Sequence, residues 1–426
     1  MGLGTLTLLL FALTLVGVPI AWALGAVGLL GVVLSPVPMQ MVPHVTFGSA
    51  EVYTLVAIPM FMLMGALIEK AGLGEVLIDF ASSLVGWARG GLAQVNVVDS
   101  MFFGGLSGSA AADVASLGSI IIPEMKRKGY PPEFAAAVTS STAEMSIIIP
   151  PSIVMIVYAS LANVSVGRLF VAGVVPGLLV GFSYMALCAY FARRKNWPVH
   201  ERFSVRRVVA TGINAAAALV IPIVVMGGIL GGVFTATEAS AVGVVVTAVL
   251  VALVYRSIRW KDVSEVLVVT ARRTGIVMLV IAASGTLGWY LSHERIPQAL
   301  AASMLAISND RLVILLIIDV FLIFLGMIMS GTPAMILVVP VVLPILTQLG
   351  VDPIHFGIVF TLAVCVGSQT PPVAATKLLT CVIAKVTIGQ MSAYNKWFIL
   401  VCILVMFLVT YVPGIALWLP ERFYVD

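Results

Sequence analysis

Four polar clusters interrupt runs of residues that are otherwise apolar. They are Ser107-Gly108-Ser109, Ser140-Ser141-Thr142-Ala143-Glu144-Met145-Ser146 ahead of Pro150-Pro151, Ser330-Gly331-Thr332-Pro333, and Gly367-Ser368-Gln369-Thr370 ahead of Pro371-Pro372. Proline removes an amide donor and clashes with the preceding turn, so carbonyls near each pair are freed. Freed carbonyls together with Ser and Thr hydroxyls suit a hard cation such as Na⁺, which prefers oxygen ligands. The positive helix N-termini that follow each interruption suit an anionic solute. Close helix packing accounts for any one of these small residues taken alone. Four clusters forming two matched pairs point instead to binding.

The elements that carry these clusters are membrane helices. Of 426 residues, 61% are hydrophobic and 10% are charged, and the mean hydropathy is +1.14. Stretches such as 169–192, 214–234, 239–255 and 397–419 approach or exceed the roughly 20 apolar residues that a spanning helix needs. No segment alternates with the period of a barrel strand, so the chain reads as an all-α polytopic protein. Residues 1–34 lack a basic leader region and read as the first spanning helix, kinked at Pro19. Irregular backbone at membrane depth survives only where it is buried in protein or lines a wet cavity. Cys188, Cys365, Cys381 and Cys402 lie in apolar stretches at no metal-ligand spacing and read as small buried hydrophobes.

Basic residues set the expected topology. Arg193-Arg194-Lys195 through Arg207, and Arg256 through Arg273, flank a two-helix hairpin and so share one face, which the positive-inside rule makes cytoplasmic. Lys126-Arg127-Lys128 falls on the same side. The expectation is roughly nine full crossings plus two segments that enter and return, with the N-terminus inside and the C-terminus outside. Residues 74–88 read as an interfacial helix, with Glu75, Asp79 and Ser82 on one face and Leu77, Phe80, Leu84 and Trp87 on another; 295–308 are a weaker counterpart.

A duplication organises the whole. Pro123, Gly129, Pro132 and Pro150-Pro151 recur at one fixed spacing as Pro344, Gly350, Pro353 and Pro371-Pro372, and the Ser107 tripeptide has its counterpart at Ser330. The Lys126 loop is placed inside and the Gly350 loop outside, so the two repeats are inverted, the architecture of many secondary transporters. The first half, 1–207, would hold a re-entrant hairpin at about 90–126 and a broken helix at about 132–163. The second half, 208–426, would hold the matching hairpin at about 312–349 and broken helix at about 354–386.

With these motifs in place, the chain resembles the large membrane subunit of the tripartite ATP-independent periplasmic (TRAP) transporters, of DctM type. The likeness runs over nearly the whole sequence and is densest at 105–138, 147–159, 330–345 and 366–374. It implies an elevator-type secondary carrier, similar in fold to the divalent-anion/sodium symporters. Two or more Na⁺ ions would drive uptake of a carboxylate-bearing solute: a dicarboxylate, a sugar acid such as sialic acid, or a zwitterionic compatible solute. It implies a small membrane subunit of about four helices, a periplasmic solute-binding protein, and a place in the bacterial inner membrane. By motif, Ser107, Gly108 and Ser109 with Ser141, Thr142 and Ser146 would form one ion site. Ser330, Gly331 and Thr332 with Gly367, Ser368, Gln369 and Thr370 would form the second. The solute would lie between the hairpin tips, near Ser109, Thr332 and Pro333.

Two departures from the family pattern stand out: Ala143-Glu144-Met145-Ser146 before the first proline pair, and Ala374-Ala375-Thr376-Lys377 after the second. An ionisable residue at membrane depth is a functional candidate by default. Either Glu144 faces the solute site and meets a positive group, or it pairs with Lys377. Asp99, Asp113 and Asp319 are weaker candidates, each explained as well by helix capping or hairpin support. No phosphate-loop motif is present, so no ATP-driven motor is expected, and no nucleophile and base are arranged for hydrolysis. The basic residues belong to membrane loops, not to a nucleic-acid surface. A stand-alone sodium/anion symporter and an ion channel remain as rival readings.

Overall fold

Helix starts and stops follow local chemistry. Thr235 with Glu238, and Thr387 with Gln390, form reciprocal capping boxes that open the helices Ala236–Val249 and Ile388–Tyr411. Gly129 and Gly350 close the ends of the two repeats' hairpins in the left-handed region, at φ +84° and +72°. Their hydrogen bonds match in kind: Gly129 N to Lys126 O and Tyr130 N to Met125 O in one, Gly350 N to Thr347 O and Val351 N to Leu346 O in the other. The same turn is thus built twice, at the fixed spacing of the sequence repeat.

A computed structural model describes residues 3–197, 202–308, 310–329, 331–370 and 375–424. Among these every regular element is a helix, and seven helices are long and apolar enough to cross a membrane. The expected nine crossings differ from this because broken helices and hairpin arms supply shorter pieces, such as Ile153–Ala162 and Pro353–Ser368. The N-terminal segment corrects one expectation. It is not a single kinked span but two helices, Leu3–Leu15 and Ile20–Val33, lying against each other. Gly17 takes φ +92° and Pro19 offers no amide, so the chain turns there instead of bending.

The helices sort into a frame and a core. In the frame, Ile20–Val33, Met41–Ala50 and Ala57–Lys70 pack along the long helix Trp260–His293, and Ala236–Val249 and Val205–Leu230 extend the layer. Contact is close because of glycine: a Cβ on Gly28 would lie 2.7 Å from Leu287 N. Leu73–Val85 is amphipathic, with Glu75 and Asp79 exposed and Leu77 buried. Ser82, expected on the polar face, is instead buried, where Arg207 donates to it at 3.4 Å.

The core consists of the two repeats. Repeat one has a hairpin, with outgoing arm Gly91–Ser107 and a return arm running from Ala110 through a π-helical turn at Val114–Gly118 to Arg127. Its broken helix has halves Pro132–Met145 and Ile153–Ala162. Repeat two has hairpin arms Arg311–Ile328 and Gly331–Gln348 and half-helices Pro353–Ser368 and Ala375–Ala384. The repeats interlock. The second half of each broken helix packs on the other repeat, Ile153–Ala162 against Gly331–Gln348 and Ala375–Ala384 against Pro132–Met145. Val166–Arg194 and Ile388–Tyr411 pack across both.

Candidate functional site

Each hairpin tip closes onto the break of its own repeat. At the first tip, Gly108 takes φ +56°, and Ser109 caps the return arm by accepting from Ala112 N at 3.4 Å. A Cβ on Gly108 would collide with the carbonyl of Pro151, and one on Gly104 would lie 2.9 Å from Ser146 Cα. The second repeat copies this approach: a Cβ on Gly326 would lie 3.0 Å from Gly367 Cα, and one on Gly331 2.6 Å from a Val364 methyl. Glycine is used at these places because the tip must come close to the break, backbone to backbone at Gly104, Gly108 and Gly326 and against the Val364 side chain at Gly331.

The sequence-selected oxygens divide on inspection. Ser107 Oγ accepts the Ser109 amide at 3.4 Å within the tip. Ser141 Oγ donates to Asn395 Oδ1 at 3.1 Å, and Asn395 Nδ2 donates to Gln369 O at 3.3 Å. Asn395, from the helix Ile388–Tyr411, therefore ties one repeat's break to the other's. Thr142 turns away from the tip and donates to Asn96 Oδ1 at 3.1 Å, while Asn96 donates to Thr139 at 2.6 Å. Ser146 and Thr370 return their hydroxyls to the carbonyls of Ala143 and Val366. Gln369 donates to Tyr184 Oη and Cys365 O, while its buried Oε1 has no hydrogen-bond partner among the described residues. Ser368 and Thr332 are half-buried, and Gly331, Pro333 and Gly367 are buried. Ser330, Pro371-Pro372 and Ala374 lie outside the described residues.

The ionisable candidates separate as well. Asp113 accepts from Ser100 at 3.3 Å and so joins the two arms of the first hairpin. Asp99 is fully buried with neither oxygen hydrogen-bonded among the described residues. Asp319 sits on the outgoing arm of the second hairpin, beside Thr410. Glu144 does not pair with Lys377: its Oε1 accepts from Thr376 Oγ1 at 2.6 Å, and Cys365 Sγ donates to its backbone carbonyl at 3.1 Å. Asn395, Asn96 and Tyr184 were not selected from sequence. Each is a single polar group in an ordinary-looking span, and only its burial would have marked it.

The family model described as tripartite ATP-independent periplasmic transporter, DctM component, matches residues 7–415. The chain belongs to the DctM family. Among its relatives, the C4-dicarboxylate TRAP transporter large permease protein DctM of Pseudomonas aeruginosa is 38% identical over 94% of this chain and 94% of its own. The sialic acid TRAP transporter large permease protein SiaM of Vibrio cholerae is 32% identical over 97% and 96%. In fold, the chain is similar to the Alcanivorax borkumensis YdaH transporter, with TM-score 0.66 over 90% of each chain at 16% identity. This DctM-family chain is thus a multi-pass TRAP large permease, with the hairpin-and-break core that its interrupted sequence announces.

Proposed function

We propose that this permease is the transport-bearing subunit of a Na⁺-coupled secondary carrier for a carboxylate-bearing solute, working by an elevator movement of core against frame. The observation that carries the reading is the pairing of tip with break in both repeats, with Asn395 bridging the two breaks. Two matched tip–break contacts inside one body of helices would supply the central site that alternating access requires. The donors fit Na⁺, since they are oxygens. The buried Gln369 Oε1, without a hydrogen-bond partner among the described residues, is an acceptor of the kind that a cation would engage. Ser107, Ser109 and Ser141 would serve the first ion and Gln369 with the second tip the other. The ions supply the driving force; the protein residues orient them and present the helix N-termini to the solute's negative charge.

Relatives named for C4-dicarboxylates and for sialic acid share a carboxylate-bearing cargo, which favours a carboxylate-bearing solute here. A periplasmic binding protein would deliver it, and a small membrane subunit would cover part of the frame. The frame leaves Phe47, Ile213, Ile223, Leu253, Val268 and Ile276 exposed, an apolar surface suited to lipid and to that subunit. The setting would be the bacterial inner membrane, N-terminus inside and C-terminus outside. Co-reconstitution in liposomes tests the whole: solute uptake should need both an inward Na⁺ gradient and added binding protein. Uptake without the binding protein would instead make the chain a stand-alone symporter. Ionic conductance with neither would make it a channel.

A further inference from the structure

Glu144 and Lys377 are opposite charges sealed inside one body of helices, and they form no ion pair. Glu144 stands in the last turn of the first half-helix of repeat one and is 4% exposed, while Lys377 stands in the first turn of the second half-helix of repeat two and is 1% exposed. The two half-helices pack against each other. The Thr376 hydroxyl takes one carboxylate oxygen of Glu144 at 2.6 Å. The other ionisable groups in reach of Glu144 are Asp113, Cys365 and Cys402, none of which brings positive charge. Lys377 has Cys381 as its ionisable neighbour, one turn along the same helix. Its ammonium makes no ion pair or hydrogen bond among the described residues.

An unpaired buried charge is costly, and an acid and a base on touching helices would ordinarily neutralise each other. Here the acid is held by a neutral hydroxyl and the base has no partner among the described residues, so each retains bonding capacity for a third body. A dicarboxylate would satisfy Lys377 and set a second negative charge toward Glu144, which repels it. A solute with both signs of charge satisfies both.

We propose that the transported solute is a zwitterion, its cationic nitrogen accepted by the Glu144 carboxylate and its carboxylate drawn toward Lys377. This rests on the carrier reading above and narrows its substrate class. The geometry assigns Glu144 to specificity and Thr376 to positioning, its hydroxyl fixing the carboxylate's rotamer.

Proteoliposomes holding the permease, its small subunit and its binding protein, under an inward Na⁺ gradient, provide the test. Radiolabelled succinate and gluconate serve as purely anionic probes, and glycine betaine, ectoine, proline and γ-aminobutyrate as zwitterions. Uptake should be confined to zwitterions. Glu144→Gln keeps the side-chain volume and the Thr376 hydrogen bond while removing the charge, so uptake should fall about tenfold or more. Glu144→Asp should restore part of it, and Lys377→Met should raise KM. Gel filtration and melting establish that each variant assembles. Should Glu144→Gln fail to assemble, the selectivity of the wild-type protein between the two probe sets decides the same point. Na⁺-driven uptake of only the purely anionic acids, unaltered in Glu144→Gln, overturns the zwitterion assignment and leaves the carrier standing. Absence of Na⁺-driven uptake of every probe overturns the carrier reading and this inference with it.

Discussion

Asn395 shows what a single buried amide can do in such a protein. It accepts from Ser141 in one repeat and donates to Gln369 in the other, so its removal leaves a hydroxyl and a carbonyl unsatisfied at once. A buried group without its partner costs about 1–3 kcal/mol, although the membrane reference state trims such values toward roughly 0.6 kcal/mol per bond. With two such bonds lost, Asn395→Ala should therefore lower stability by about 1 kcal/mol, measured by denaturant or thermal unfolding of the purified complex. It should also raise the Na⁺ concentration for half-maximal uptake roughly tenfold, because groups behind a ligand orient it. Asn395→Asp, which can accept but not donate, should keep the Ser141 bond and lose the Gln369 one. An unchanged Na⁺ dependence in both variants would reduce Asn395 to a packing residue. The residue was illegible in sequence for a physical reason: one asparagine in a helix of ordinary composition acquires meaning only once its neighbours are known. Ser107 and Gly108 were legible because glycine and serine stand out against an apolar run.

At the scale of elements, tip and break work as one unit, and glycine marks where they touch. Gly108 and Gly129 both adopt positive φ, at +56° and +84°, yet their surroundings differ. Around Gly129 a Cβ would meet nothing within 4 Å, whereas at Gly108 it would strike the Pro151 carbonyl. Gly129→Ala should cost only about 1 kcal/mol of backbone strain and leave uptake near wild type. Gly108→Ala adds overpacking of about 1–3 kcal/mol at the point where tip meets break, and should abolish uptake while the chain still assembles. Equal losses in the two variants would argue against the tip–break contact as the working part. The turns and breaks were readable because each is written in residues that helices reject. At the N-terminal break Pro19 alone predicts a bend, not a turn. Gly17, two residues earlier, is what lets the chain turn through a left-handed conformation and lay Ile20–Val33 against Trp260–His293.

At the scale of the molecule, the frame must hold still if the core is to move. At one end of the frame, Lys70 bridges to Asp262 and Glu265 at 3.4 and 2.6 Å, and Arg273 to Glu69 at 3.4 Å. These pairs are solvent-exposed, and surface ion pairs stabilise little, so Lys70→Ala should barely change stability. The frame helices are held instead by close approach at glycine, as where Gly28 meets Leu287 and Gly285 meets Ser49. Between frame and core lies a cavity of about 320 Å³, lined on the frame side by Ser49, Ser284 and Gly288 and on the core side by Ser160, Ile336 and Pro340. An elevator must slide across this seam. Cysteines at Gly288 and Pro340, joined by a short bifunctional thiol reagent, should therefore arrest net uptake; the native cysteines are all buried and can stay in place. Cysteines at Lys70 and Glu265, joined within the frame, should leave uptake intact. A carrier whose core stays fixed and gates only locally would transport with the seam locked, so persistent uptake in the Gly288–Pro340 cross-link would exclude the elevator while sparing the tip–break sites.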